Sequence, residues 1–363
     1  MALDRLLNVA RKEFVDHITS RRFAIILGLL LVISTISIYD GIENYNNSLE
    51  AYTEQLRQME EFDDPYRSWM PQKPSIMYVF ISMMSYMTML GGILAIAIGF
   101  DLVSKEKETR SLKSLLSHPV YRDEIINGKA LGGVGALGFA MALALAIALA
   151  LLLIFSVVPT LEEFAGILIF GAVSLGFLLA YFAVALMMST AAKESGNALI
   201  YTLVIFFAVS SLLPMFGAMA ANAFAGDPPE PPEVPMQKEV VHVASIGGYS
   251  STSVSQSVVY SGAEDPEWKA YEEEMKTYIE KQRFISDISN LLSPQTNYYT
   301  VAIAVTNPQL SSMIASPYDT APEEKPGLAG ALGKVWMNIA ALIVFPSAFF
   351  AATYVKFMRM DIR

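Results

Sequence analysis

Six long apolar runs, each almost free of charge, constrain this chain more than any other feature of its sequence. They lie at Phe23–Asp40, Ile76–Phe100, Leu131–Val158, Phe164–Thr190, Ala198–Ala225 and Gly333–Val355, with Asp40, Asp101 and Lys334 at their margins. A hydrocarbon core about 30 Å thick is crossed by roughly 20 residues of α-helix, so each run is long enough to span it. A buried helix of a water-soluble protein rarely stays apolar on every face for that length. Lipid offers no partner to backbone polar groups, which leaves the helix as the form such runs can take. With a mean hydropathy of +0.41 and only 17% charged residues, the chain falls in the membrane class. The fold class expected is an all-α polytopic membrane protein with six transmembrane helices.

The net charge of −10 is unevenly placed. Arg5, Arg11, Lys12, Arg21 and Arg22 precede the first run. Lys105, Lys107, Arg110, Lys113, Arg122 and Lys129 follow the second, and Lys356, Arg359 and Arg363 close the chain. Acidic residues dominate Glu43–Asp64 and Asp227–Glu324. Excess Lys and Arg mark cytoplasmic segments, so both termini and the loop after span two are expected inside a plasma membrane crossed six times. The even number of spans agrees. Nothing resembles a cleavable signal peptide, and the absence of cysteine excludes disulfides and thiolate metal sites.

Between the spans, the segments carry their own signals. Residues 1–22 read as an amphipathic elbow helix on the cytoplasmic face, with Leu3, Leu6, Leu7, Ala10, Phe14 and Ile18 at helical spacing. Spans one to five occupy 23–225, interrupted by the charged loop 101–130. Asn46-Asn47-Ser48 in the first outer loop is an N-glycosylation sequon, with Asn46 the acceptor. Pro159–Glu163 is short enough to make spans three and four a hairpin, and Ala191–Asn197 is a second short inner loop. Residues 226–332 read as a small mixed α/β extracytoplasmic insertion between spans five and six. Its proline-rich riser starts at Asp227, β-favouring stretches follow at 239–244 and 253–260, and a helix covers Pro266–Leu292. Tyr298–Val305 is apolar but too short to span, so it either dips into the outer leaflet or packs on the bundle. Residues 333–363 are the sixth span and a cytoplasmic tail.

Catalytic signals are missing. His17, His118 and His242 fall in separate segments, and no His-Glu-x-x-His or Gly-x-Ser-x-Gly occurs. Gly128-Lys129 lacks the upstream glycine and the following Ser or Thr of a phosphate-binding loop. No cofactor or metal is therefore expected on this chain, and no nucleic-acid partner. Methionine clusters such as Met83, Met84, Met87 and Met89 read first as membrane filler rather than as a copper path. Uncharged span centres disfavour a proton- or ion-driven carrier. Gly91-Gly92, the series from Gly132 to Gly138, and Gly171 and Gly176 permit close helix approach, while Pro214 and Pro346 kink spans five and six.

The loop after span two carries the most information. Ser104–Ser117 has a helical pattern with Leu112, Leu115 and Leu116 on one side. Pro119 breaks it, and Asp123–Gly128 opens a second short helix with Ile125 and Ile126. Two short cytosolic helices with an exposed Leu/Ile face need a partner groove. At Glu106, Glu108, Leu112, Leu115, Leu116, Pro119, Val120, Arg122, Gly128 and Lys129 the chain resembles the membrane subunit of ABC transporters of the ABC-2 type. The family's run is Glu-x-Glu-x-Gly-Thr-Leu, then Leu-Leu-x-x-Pro-Val-x-Arg and Gly-Lys. Arg110-Ser111 stands here for its Gly-Thr, and Tyr121 for its usual Ser.

The resemblance implies a permease that dimerises, with an identical or different partner, and that binds two copies of a cytoplasmic ABC ATPase. ATP and Mg would sit on that ATPase. Glu106, Glu108, Leu112, Leu115, Leu116, Pro119, Arg122, Ile125, Ile126 and Lys129 would form its coupling loop, and Lys193 and Glu194 a second contact. Family members mostly export, and membrane lipid surrounds them. The alternative, from a different class, is a membrane-anchored extracytoplasmic binding or scaffold protein without transport.

Overall fold

Helices account for all the regular structure among the residues that the computed structural model describes, which are 2–61, 73–111, 121–232, 266–315 and 327–360. In chain order, α1 is Ala2–Ile18 and α2 is Arg21–Glu61. Span two is built from α3 (Val79–Tyr86), a π-helical turn (Met87–Gly91) and α4 (Gly92–Gly99). The short α5 (Ser104–Glu108) precedes α6 (Arg122–Ile154) and α7 (Leu161–Ala191). Span five is α8 (Ser195–Phe207), a second π-helical turn (Ala208–Leu212) and α9 (Leu213–Ala225). Then come α10 (Pro266–Leu291), α11 (Pro294–Thr306), α12 (Pro308–Ala315), α13 (Leu328–Lys334) and α14 (Trp336–Met358). Six helical stretches are long and apolar enough to cross a membrane, and all six are the runs read from the sequence.

Several boundaries differ from the sequence reading. The helix that carries the first span does not stop at Asp40. No glycine or proline interrupts residues 42–61, so α2 continues for 41 residues, roughly 60 Å, about twice a hydrocarbon core. Asn46 thus lies within α2, with its side chain exposed. The second short helix expected at Asp123–Gly128 is the first part of α6, which runs unbroken into span three. Its start is fixed by Glu124, whose Oε2 accepts from the Tyr121 backbone N–H at 3.1 Å.

α1 forms where an amphipathic helix was expected, and its side with Val9, Glu13 and Phe14 packs on α6, while Leu7 stays exposed. Pairs rise together along both helices: Arg5 with Glu124, Val9 with Gly128, Glu13 with Gly132 and Phe14 with Gly135. The two helices therefore run parallel. A Cβ on Gly132 would lie 2.5 Å from Glu13 Cβ and 2.9 Å from the Ala10 carbonyl oxygen, so only glycine admits this approach.

The described residues form two compact units, 1–214 with 290–363, and 215–289. The insertion read as a single stretch over 226–332 is divided between them. In the first unit, α11 packs on α7 and α14, which selects bundle packing over a dip into lipid for Tyr298–Val305. Tyr298 is wholly buried, stacks on Phe177 at 4.8 Å and reaches Ser174 Oγ at 3.0 Å. In the second unit, α10 bears out the expected helix, and Gln282 Nε2 donates to Asn222 Oδ1. No strand occurs among the described residues. The β-favouring stretches 239–244 and 253–260 lie outside them.

Candidate functional site

The charged residues of α1, α5 and α6 converge on one lysine. Lys129, on α6, is 2% exposed, and its Nζ donates to Glu13 Oε1 at 2.8 Å and Glu106 Oε1 at 2.7 Å. A buried ammonium is tolerated only with such partners, because burial alone disfavours its charge. Two carboxylates against one cation leave an excess negative charge. The second carboxylate oxygen of Glu106, Oε2, is buried without a hydrogen-bond partner, as is Nε2 of His17. Burial holds the His17 imidazole below its usual range, against the opposing pull of Glu13 and Asp101.

Around this centre the helix ends are tied by directional bonds. Arg5 makes a forked contact to Glu124, with Nε and Nη2 at 2.9–3.0 Å, and lies 5.3 Å from the Tyr121 ring centroid. Arg22 Nη1 pairs with Asp101 Oδ2 at 3.0 Å, joining the starts of span one and the end of span two. Arg122 Nη1 donates to the Met360 carbonyl at 2.9 Å, which satisfies an acceptor at the end of α14.

The two inner loops, read as separate contacts, are bound to each other. Ser189 Oγ accepts from the backbone N–H groups of Val103 and Ser104, each at 3.0 Å, at the start of α5. Lys107 Nζ donates to the carbonyls of Thr190 and Ala192, where α7 ends and leaves acceptors unfilled. Glu108 Oε2 accepts from Ser195 Oγ at 3.0 Å and Ser195 N–H at 3.3 Å, placing a carboxylate on the N-terminus of α8. Lys193 and Glu194 stay exposed on the loop so fixed.

α5 is shorter than the helix expected over Ser104–Ser117. It ends at Glu108, and Arg110 adopts a left-handed backbone with φ of 56°. That is the position where the resembling motif carries glycine, the residue that adopts positive φ at no steric cost. Leu112, Leu115, Leu116 and Pro119 lie outside the described residues. Ile125 and Ile126 are fully buried, so they belong to the core of this chain rather than to an exposed docking face. The sequence pattern missed this because their burial comes from neighbours that only the fold brings together.

Sequence reading also missed Glu13, Arg5, Lys107 and Ser189. Glu13 had a signal: it falls three residues after Ala10 on the apolar stripe, where a carboxylate needs a cation. The others become partners only through the fold.

A family profile described as ABC-2 family transporter protein matches residues 7–362. No curated protein matches the chain.

Proposed function

The chain belongs to the ABC-2 family of transporter proteins, and from that premise we propose that it is the permease of an ATP-driven exporter. A separate cytoplasmic ABC ATPase, in two copies, supplies the work, and ATP and Mg are held there. The permease pairs with a second permease, the same or different, around the translocation path. Both termini face the cytoplasm, in line with the Lys and Arg excess at α1, the loop after span two and the tail. An apolar or amphipathic cargo fits span centres that carry no ionisable residue.

The observation that carries this reading is the fastening of α5 to the loop between α7 and α8. Ser189, Lys107 and Glu108 make the two inner loops one body, and Lys129 ties that body to α1 and α6. A push applied to either loop therefore reaches spans two, three, four and five together. Movement then passes into the bundle, where the π-helical turns at Met87–Gly91 and Ala208–Leu212 interrupt the regular helix. Glu106 and Glu108 act as internal struts of the coupling body. Leu112, Leu115, Leu116, Pro119, Lys193 and Glu194 remain the candidate surface for the ATPase.

Affinity purification of the full chain with its ATPase tests the reading. Leu115→Glu with Leu116→Glu, and separately Lys193→Glu with Glu194→Lys, should release the ATPase while the permease melts at its normal temperature. If no ATPase co-purifies at any expression level, the membrane-anchored scaffold becomes the better reading.

A further inference from the structure

A cavity of about 450 Å³ opens beside the Lys129 cluster, where the first two spans meet α1 and α5. Its lining changes character along the helices. Arg21, Lys105, Glu106 and Thr109 line one part, and Ile26, Leu94 and Ala97 another. At 1.5 Å per helical residue, Ile26 lies about 6 Å beyond Arg22, and Leu94 about 10 Å inside Asp101. The cavity therefore follows the seam of spans one and two from a charged edge into apolar depth. Its volume suits a headgroup and the first carbons of a chain, and it falls within the range of small-molecule sites.

The charges at its edge are only partly used within the chain. Arg22 is bound to Asp101, Lys12 lies 4.0 Å from Asp16, and Lys129 serves both Glu13 and Glu106. Arg21 and Lys105, both exposed, have no ion-pair partner among the described residues. Meanwhile the Glu13–Lys129–Glu106 group sets two carboxylates against one cation, and the partly buried Glu106 side chain lines the cavity. Such a lining asks for three things in one molecule: an anion for Arg21 and Lys105, a cationic N–H donor for Glu106, and a short apolar extension.

We propose that this cavity binds an aminophospholipid, with its phosphate between Arg21 and Lys105, its ammonium against the carboxylate edge that Glu106 presents to the cavity, and its upper chain carbons along Ile26, Leu94 and Ala97. A choline headgroup has no N–H to donate to Glu106. A glycerol headgroup can donate but brings no positive charge to the excess negative one. The inference goes beyond the transport reading, since it needs the chain in a membrane but neither the ATPase nor a direction of transport.

The test is native mass spectrometry of the full chain in detergent, with phosphatidylethanolamine, phosphatidylcholine or phosphatidylglycerol added at equal concentration. Phosphatidylethanolamine should be retained several-fold better than the other two. Arg21→Gln with Lys105→Gln, two exposed changes that leave the fold intact, should abolish the preference. Ala97→Phe should do the same by filling the apolar part, with a thermal melt to show that the variant folds. Equal retention of all three lipids would overturn the proposal, as would a preference that survives the Arg21/Lys105 change. Displacement of the lipid by soluble O-phosphoethanolamine would assign the site to a free phosphoamine and overturn the membrane-lipid assignment. Because no arm involves an ATPase, failure here and failure of the exporter reading are separate results.

Discussion

Spans two and four are held together twice along their length, by opposite means. At the charged end, directional bonds do it: Ser189 to the start of α5 and Lys107 to the end of α7, with Lys129 of α6 tying α5 in turn to α1. Further into the bundle, missing atoms do it. Gly99 sits where a Cβ would lie 2.7 Å from Ala185 Cβ and 3.0 Å from the Phe182 carbonyl oxygen, and Gly91 sits against Leu178. The aromatic rings of Phe177, Tyr298, Tyr181 and Phe206 fill the rest by contact. One end fails when a group is removed, because a buried charge is left alone. The other fails when a group is added, because close-packed interiors have no room. The charged end is thus suited to move as one piece, and the middle to repack around it.

Substitutions can separate these two mechanisms, and the largest effect is expected at Lys129. Lys129→Met leaves Glu13 and Glu106 buried without their cation, a loss of about 3–5 kcal/mol. A thermal melt in detergent should fall accordingly, and adding Glu13→Gln and Glu106→Gln should recover much of the loss. Gly99→Ala comes next, at about 1–3 kcal/mol, because its neighbours are backbone and a short side chain rather than a flexible tip. No charge change should rescue it, whereas Ala185→Gly should recover part of the loss, the Phe182 carbonyl contact remaining. If neutral carboxamides rescued Gly99→Ala, or Ala185→Gly rescued Lys129→Met, the two regions would not be independent.

The difference also explains what was legible in the sequence. Spans are local: an uncharged apolar run of sufficient length announces itself without knowledge of its neighbours. The order of all six could be read, and so could the loop that carries Glu106, Glu108 and Lys129. Pairing is not local. Nothing near Lys129 in the chain names Glu13, which arrives from α1, and nothing near Ser189 names the start of α5. The exposed Leu/Ile face failed at Ile125 and Ile126 for the same reason, since the pattern cannot show which side chains the fold buries. Helix ends were misplaced where a polar stretch simply keeps the helix going, as in α2 beyond Asp40 and α6 before Leu131. Helical backbone satisfies itself, so leaving the membrane does not oblige a helix to stop.

The smallest effect is expected at Arg110, and it sharpens the comparison most directly. A left-handed backbone costs an L-residue with a side chain roughly 1–2 kcal/mol. Glycine avoids this, but gives back part of the gain through its freer unfolded chain, about 0.5–1 kcal/mol. Arg110 is exposed and makes no ion pair among the described residues, so its side chain offers little to lose. Arg110→Gly should therefore raise the melting temperature by a small amount, and Arg110→Val should lower it, since a β-branched residue fits positive φ worst. The turn is held in this geometry by what flanks it: Lys107 and Glu108 are fastened to the α7–α8 loop just before it. A rigid charged end makes the strain at Arg110 unavoidable and its relief measurable. If Arg110→Gly and Arg110→Val melt alike, the turn relaxes freely, and the charged end is the looser of the two regions rather than the stiffer.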